Sequence, residues 1–183
     1  MTCLECGGTL TSKKENYRYL GCGLKNVTLM GVEVRRCGTC GDHEVLIPRI
    51  EELHDTLATA VVTHASRLSS AEVRFLRKYL GYPGVELARV MGVSPETVSR
   101  WENKKETMGP SAERLLRLLV VQKVRIPQYP IETLSKISTT ARTKPIGLRL
   151  KAGGWIEQDL AIAPERRHPG DRLEQGHPER VEV

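Results

Sequence analysis

Aromatic residues are scarce in this chain: they make up 4% of its 183 residues, and phenylalanine occurs once. Hydrophobic residues reach only 39%, and no run of 18 apolar residues occurs. The first shortage argues against a large continuous core, and the second excludes a membrane-spanning helix and gives no reason to expect a membrane partner. We therefore expect one ordinary domain or two small ones.

The sequence also lacks the signatures of export and of catalysis. The first twenty residues contain no apolar signal segment, so we expect a cytoplasmic protein with reduced thiols. No nucleophile–base pair, carboxylate pair or phosphate-binding loop is visible, so we do not expect an enzyme.

The positive charge is confined to the middle of the chain. The net charge is +6, and residues 67–125 carry 12 basic and 6 acidic side chains. The flanking parts are close to neutral. A basic segment of this kind indicates either a nucleic-acid-binding face or a basic solvated helical surface, and charge alone does not separate the two.

Four of the five cysteines form two close pairs, Cys3 with Cys6 and Cys37 with Cys40. Each pair has a two-residue spacer and a following glycine, so that both sulfurs can face one ion. Four thiolates complete a closed tetrahedral shell, which predicts one structural Zn2+ per chain. The same cysteines leave two alternatives open, an iron electron-transfer site and a metal-free redox dithiol. We interpret Cys22 as a small side chain in the sheet or its turn.

The cysteine pairs are separated by 30 residues, more than the usual spacing of about 15–20. Two segments rich in β-branched and aromatic residues, "NYRYLGCG" and "NVTLMGVEVRRC", fill this gap and predict a β-hairpin. We expect residues 1–48 to form a small zinc-binding module that cannot fold without its ion. Residues 49–68 follow as a linker helix with one apolar stripe.

Residues 69–125 carry the pattern of a helix-turn-helix. Ser69 and Glu72 form a capping-box signature, and a second short helix begins at Gly84. A small residue where two helices cross, a glycine in the turn and an inward apolar residue then follow at the spacing of the motif; these are Ala88, Gly92 and Val98.

The segment "GVSPETVSRWENKK" predicts the second helix of this motif. Ser94 is suited to cap it and Pro95 to open it. Val98 and Trp101 are three residues apart and should both face the core. The opposite face then carries Thr97, Arg100 and Lys104.

"SPETVSRWEN" is highly typical of the Cro/repressor (XRE) family, and residues 70–120 resemble that helix-turn-helix as a whole. Residues 1–55, with both cysteine pairs and "GVEVRRCGTCG", resemble the YgiT-type zinc finger. The two in this order resemble the MqsA-type antitoxins and related regulators. The resemblance lapses after about residue 125.

The resemblance implies specific DNA contacts. In the XRE family the start of the recognition helix reaches base edges, and an arginine of the first helix pairs with a glutamate, here Arg77 with Glu102. A glutamine that grips phosphate is missing, so the amides of Gly84 and Val85 would replace it. Glu96 has an alternative role in favouring the helix N-terminus. The full predicted set is Ser94, Pro95, Glu96, Thr97, Arg100, Lys104, Lys105, Gly84 and Val85.

The resemblance also implies partners. A helix with leucines at 115, 116, 118 and 119 predicts either a homodimer seam, which would present two recognition helices to a palindromic operator, or simply the closure of the domain core. A cognate toxin would bind through the zinc module. We therefore expect a zinc-containing, sequence-specific transcriptional regulator, a repressor that serves in its antitoxin version to neutralise a toxin.

Residues 126–183 form the last predicted part. Residues 146–157 alternate in polarity around two glycines and predict a hairpin, which is marginal unless it docks. From Pro164 onward few apolar residues remain, which predicts disorder. The expected fold class is α+β: a zinc-bound hairpin module, a linker helix, an all-α helix-turn-helix and a largely disordered tail.

Overall fold

The computed structural model of the chain describes residues 1–126, 129–137 and 143–160. The predicted disorder from Pro164 onward lies outside the described residues. The α+β class is confirmed, with a sheet part and a helical part. The strands are β1 (Leu10–Arg18), β2 (Val27–Cys37), β3 (His43–Leu46), β4 (Ile146–Lys151) and β5 (Gly154–Glu157). The helices are α1 (Ile50–Thr63), α2 (Ser70–Leu80), α3 (Gly84–Met91), α4 (Pro95–Glu102), α5 (Pro110–Val124) and α6 (Glu132–Ser135).

The long strand β2 organises the sheet. β1 pairs antiparallel along one of its edges, as the predicted hairpin requires. The other edge is shared: β3 pairs antiparallel with residues 33–36, and β4 pairs parallel with residues 27–30. β5 then pairs antiparallel with β4 and ends the sheet. One face of β2 is buried through Val27 and Leu29 and, after a register shift against β1, through Val32 and Val34.

The C-terminal hairpin is docked rather than free. β4 contributes Ile146 and Leu148, which are completely buried, to the core beside β2. The Trp155 indole N–H of β5 donates to the Pro48 carbonyl at 2.9 Å, and its backbone N–H donates to Glu52 Oε1 at 2.8 Å. Residues 146–157 therefore share a sheet with residues 10–46, a pairing that the prediction of a separate extension over 126–183 did not include.

Helix α1 covers the buried face of the sheet. It is shorter than the predicted linker: it begins after Arg49, which has a left-handed backbone with φ 56°, and ends at Thr63. Leu53 and Leu57 are completely buried. Ile50, which the sequence places in the same apolar stripe, is exposed.

A buried ion pair joins α1 to the helical part. Glu113 and Arg117 of α5 are both almost fully inaccessible to solvent, and Arg117 Nη2 lies 2.9 Å from Glu113 Oε1. The Arg117 guanidinium also donates to carbonyls at the end of α1 and just beyond it, those of Val62 (2.8 Å), His64 (2.8 Å) and Ser66 (2.7 Å). The cation thus occupies the place where helix carbonyls lack intrahelical donors. Among the described residues, no helix is long and apolar enough to cross a membrane.

Candidate metal centre and nucleic-acid interface

The two cysteine pairs form two turns of the same construction. In the first, the Cys3 N–H donates to the Gly8 carbonyl at 2.8 Å, and the Gly7 N–H donates to the Cys3 carbonyl at 2.9 Å. In the second, the Cys37 N–H donates to the Asp42 carbonyl (2.8 Å) and the Gly41 N–H to the Cys37 carbonyl (3.1 Å). In each turn the two cysteines are three residues apart, so both sulfurs lie on the same side of the turn.

Glycine is required where the two turns meet. Gly7 and Gly41 have φ values of 70° and 77°, in the left-handed region that glycine favours. A Cβ at Gly8 would lie 2.7 Å from Thr39 Oγ1 and 3.1 Å from the Cys37 sulfur. The turns could not approach this closely with a side chain at that position.

The structure brings the four predicted metal ligands together. The sulfurs of Cys3, Cys6, Cys37 and Cys40 all lie within 4.8 Å of one another. The sulfurs of Cys3 and Cys40 are 3.7 Å apart, and those of Cys6 and Cys37 are 3.4 Å apart. A tetrahedral shell with metal–sulfur bonds of about 2.3 Å has edges of about 3.8 Å. The donor set and its spacing therefore fit one thiophilic metal ion.

The thiols influence one another strongly. Donation from the backbone N–H groups of Cys40 and Thr39 lowers the pKa of Cys37 to about 6. For Cys40, the Asp42 N–H lowers the pKa, but the Cys6 thiol, burial and the remaining thiols outweigh it and raise the pKa to about 12. The first negative charge thus falls on Cys37, and a second is resisted because like charges crowd together. A bound divalent cation would remove this resistance and hold all four as thiolates.

Cys22 lies apart from this centre. It sits half-buried in the turn between β1 and β2, and its thiol donates to the Tyr19 carbonyl at 3.4 Å. Burial raises the pKa of this thiol. His54 of α1 is half-buried as well, with Nε2 2.9 Å from the Tyr19 hydroxyl.

Helices α2, α3 and α4 form where the local signals predict them. Both hydrogen bonds of the Ser69–Glu72 capping box are present. α3 ends at Gly92, whose φ of 67° makes the turn into α4. Ser94 caps α4 by accepting a hydrogen bond from the Thr97 N–H at 3.3 Å, and Pro95 is its first residue.

The apolar side of α4 is packed inward. Val98 and Trp101 have exposed fractions of 2% and 4%, and Ala88 of α3, also buried, is equally inaccessible. The tryptophan is therefore a core residue despite the arginine and glutamate beside it in sequence. Its burial fixes which face of α4 points to solvent.

Glu102 anchors the end of α4 to α2. Arg77 binds it through two contacts, Nε to Oε1 at 2.5 Å and Nη2 to Oε2 at 3.1 Å. This pairing, expected from the XRE resemblance, is confirmed. Arg74 adds a second cation, donating to the Glu102 carbonyl at 3.1 Å and to the Asn103 side chain at 2.8 Å.

The outward face of α4 carries a small cluster of polar side chains. Arg100 is half-exposed and donates from Nη2 to Thr97 Oγ1 at 3.1 Å. Its Nε lies 2.9 Å from Glu106 Oε2. No pattern in the sequence marks Glu106 as a partner of Arg100, because the contact forms only when the chain turns back after α4.

Glu96 interacts with the N-terminus of α4. Its pKa is lowered by the hydrogen bond from its own backbone N–H, then by the Ser94 side chain and the Arg100 charge. These contacts favour the role at the helix N-terminus, which was one of the two sequence interpretations. The residue is exposed and stays beside Arg100 on the outer surface.

The lysines lie beyond the helix rather than on its face. α4 ends at Glu102, and Lys104 has a left-handed backbone with φ 60°. The helical spacing predicts that Lys104 continues the row of Thr97 and Arg100. This prediction is wrong, because the helix ends two residues before Lys104. Lys104 and Lys105 are both exposed in the turn that follows.

Gly84 and Val85 are the first two residues of α3, after the cap residue Pro83. The N–H groups of a first helical turn have no intrahelical acceptor, so both amides are of the kind that receives an anion. The Val85 side chain is exposed.

The comparison with protein families bears on this helical part. Residues 73–126 match the helix-turn-helix family model. The helix-turn-helix is a DNA-binding domain and not typically an enzyme. Neither the search of curated proteins nor the search of solved structures gave a match. The match supports the XRE resemblance, whereas the zinc-finger resemblance of residues 1–55 stays a prediction.

Within this helix-turn-helix, α3 and α4 are the two helices of the motif and α2 and α5 support them. The nine predicted DNA-contact residues fall in two places: the start of α3, and the stretch from Ser94 through Lys105. All seven of the latter lie on α4, its cap or the turn after it.

Proposed function

We propose that this protein is a sequence-specific transcriptional repressor that binds a palindromic operator as a homodimer and contains one structural Zn2+. The observation that carries the proposal is the arrangement of α4 within a matched helix-turn-helix. Buried Trp101 and Val98 hold the helix so that Thr97 and Arg100 face outward.

Arg100 is the residue best suited to read a base. A guanidinium can donate two parallel hydrogen bonds to guanine O6 and N7 in the major groove. The Arg77–Glu102 pair ties the end of α4 to α2, so it positions the helix and takes no part in the reading. Lys104, Lys105 and the amides of Gly84 and Val85 supply phosphate contacts, which fix position without reading sequence.

Glu106 sets the resting state of Arg100. In the DNA-free chain the two side chains form an exposed ion pair. A guanine that accepts from Arg100 competes with this carboxylate for the guanidinium, and the carboxylate's charge also repels phosphate. Glu106 therefore lowers operator affinity in our proposal.

The dimer uses the outer side of α5. Leu116 and Val120 are completely buried in the core, whereas Leu115 and Leu118 are exposed. The leucine-rich pattern thus divides between closing the domain and presenting an apolar strip. Two copies joined there would offer two recognition helices to two half-sites.

We also propose an antitoxin role, which the resemblance of residues 1–55 supports. A surface for a toxin would include Leu4, which is 90% accessible in the turn between Cys3 and Cys6. An adjacent reading frame that encodes a small basic ribonuclease-like protein would favour the antitoxin role. Co-purification of that product with the wild-type chain, lost on Leu4→Ser, is the direct test.

Operator binding tests the proposal. A gel shift with the DNA upstream of the protein's own gene should show a specific complex. Arg100→Ala should weaken it by roughly 1–3 kcal/mol and relax the preference at one base pair, because a bidentate contact is lost. Glu106→Gln should strengthen it, because it frees Arg100 and removes a negative charge.

Arg18→Ala is the matched control. Arg18 is an exposed arginine of β1 whose Nε donates to the Lys25 carbonyl. The Arg18→Ala variant should bind the operator as the wild type does. Equal affinity of the Arg100→Ala variant and the wild type would remove Arg100 from the readout, and failure to bind any duplex at low salt would refute the repressor.

A further inference from the structure

A cavity of about 200 Å3 lies between the sheet, α1 and α2. It is lined by Gly21, Cys22, His54, Phe75, Lys78 and Tyr79. None of these residues belongs to the predicted metal ligands or DNA contacts. The cavity is therefore a feature that neither the metal centre nor the recognition helix explains.

Aromatic rings are concentrated at this cavity. The whole chain has eight aromatic residues. Two of them, Phe75 and Tyr79, line the cavity together with His54, and Tyr19 stacks on His54 behind the lining. The ring centroids of Tyr19 and His54 are 6.0 Å apart, those of His54 and Phe75 6.5 Å, and those of Phe75 and Tyr79 6.3 Å. Tyr19 and Phe75 also belong to the buried core, so the cavity opens at the edge of that core, and its wall offers ring surface to a flat apolar group.

The wall carries a single cation. Lys78 is exposed, and its ammonium group makes no hydrogen bond or ion pair with the described part of the chain. Burial lowers the pKa of His54, which favours its neutral imidazole. The nearby carboxylate of Asp55 accepts the Tyr79 hydroxyl at 2.6 Å and is not part of the wall. A ligand in the cavity would thus meet the unpaired charge of Lys78. The Lys123 ammonium lies outside the lining, 4.7 Å from the centroid of the Tyr79 ring, and is bound to the Tyr79 carbonyl.

We propose that this cavity binds a planar aromatic carboxylate with one ring. An engineered cavity of about 150 Å3 admits benzene, so a space of this size accepts a single ring with a small substituent. The ring contacts Phe75 and Tyr79, and the carboxylate pairs with Lys78. A charge-assisted hydrogen bond of this kind is stronger than a neutral one and selects the acid over its amide.

The ligand would connect parts of the chain that are distant in sequence. The loop of Gly21 and Cys22 belongs to the sheet part, and Phe75 and Lys78 belong to the first helix of the helix-turn-helix. Binding to the folded chain alone would stabilise this arrangement by mass action.

Benzoate is the probe that tests the site. The full chain with its metal is titrated with benzoate, and the amide signals of Gly21, Cys22 and Lys78 are followed by 1H–15N NMR. We expect saturable shifts with a dissociation constant of about 1 mM or below, the affinity suited to a ligand of this size. Benzamide, which has the same shape without the charge, should bind about tenfold more weakly.

Two variants and a control complete the experiment. Lys78→Gln should weaken benzoate about tenfold, and Cys22→Met, which places a larger side chain in the cavity, should abolish the shifts. Lys13→Gln alters an exposed lysine of β1 and should bind as the wild type does. Each variant's own spectrum reports whether it is folded, and Lys78 is exposed, so that Lys78→Gln should fold.

Absence of saturable shifts at these amides would overturn the proposal. So would equal binding of benzamide and benzoate, or wild-type affinity in Lys78→Gln. The titration contains no DNA, so a failure of the repressor proposal would leave its outcome unaffected.

Discussion

At the scale of single residues, the backbone at three basic side chains is unusual. Arg49, Lys104 and Arg125 have φ values between 56° and 60°, where residues other than glycine are disfavoured. Each stands at a helix boundary or just past one. Lys104 lies two residues past the end of α4, so its conformation is set by the turn after α4 rather than by the lysine.

Replacing Lys104 with glycine should therefore stabilise the fold. The left-handed conformation costs a non-glycine residue about 1–3 kcal/mol, and part of that gain is offset because glycine makes the unfolded chain more flexible. We expect the free energy of unfolding to rise by about 1 kcal/mol in urea denaturation. Operator affinity should fall slightly with the lost charge.

Lys105→Gly provides the comparison. It removes the same charge one residue later, where the backbone is not left-handed among the described angles. It should lower operator affinity to a similar degree without stabilising the fold. A loss of stability in Lys104→Gly would contradict the reasoning.

At the scale of elements, prediction succeeded where the signals are local. Ser69 and Glu72, Gly92, and Ser94 with Pro95 each act within one helical turn, and α2, α3 and α4 follow them. The two cysteine turns are local as well. The approach of the two turns to each other is not a local effect. It could be predicted because four ligands of one ion must lie close together.

Local signals did not predict which strand β4 pairs with. The alternation of Ile146 and Leu148 indicates a strand with a buried face, but any strand with a free edge and a matching face satisfies it. Their neighbours Val27 and Leu29 are separated from them by all the helices from α1 to α6. Likewise, nothing in the leucine-rich pattern of α5 marks Arg117 as buried, since its carbonyl partners belong to another element.

The metal centre allows a prediction for the sheet as an element. Purified protein should contain one Zn2+ per chain and be colourless. Cys37→Ser should lose the ion and the β-sheet signal in far-UV circular dichroism, because the small sheet depends on the bound ion for its stability. The helical signal should persist, because α2–α5 pack against one another away from the cysteines, although one buried core runs through the sheet part and the helical part.

Cys22→Ser is the control for this experiment, since Cys22 lies outside the sulfur cluster. It should retain a full equivalent of zinc. A coloured, iron-containing preparation would instead favour the electron-transfer alternative, and metal loss in Cys22→Ser would remove the assignment of the four ligands.

At the scale of the whole molecule, Glu113 and Arg117 hold the sheet part and the helical part together. The Glu113 carboxylate accepts the Leu68 N–H at 3.0 Å as well as the Arg117 guanidinium. The pair thereby satisfies the backbone of the segment from the end of α1 to the start of α2. The Tyr129 hydroxyl adds a further donor to the Val62 carbonyl at 2.9 Å.

Arg117→Met should destabilise the protein by about 3–5 kcal/mol, because it takes the nearest cation from a buried carboxylate and a donor from the His64 and Ser66 carbonyls. The carboxylate would keep only the Leu68 N–H and the more distant Arg67. In chemical denaturation the sheet part and the helical part should then unfold in separate transitions. Adding Glu113→Gln should recover part of the loss, because the neutral amide still accepts from Leu68. Equal stability of Arg117→Met and the wild type would show that the pair does not couple the two parts.

The parallel pairing of β4 with β2 has a consequence for synthesis on the ribosome. The four cysteines of the predicted metal centre emerge before the helices and can bind their ion while those helices are still being made. The edge of β2 at residues 27–30 then lacks its β4 neighbour until β4 leaves the exit tunnel, after helices α1 to α6 have been translated. During that interval the bare edge is a template for strands of other nascent copies. Slow translation through the helices should therefore increase co-translational aggregation of this protein.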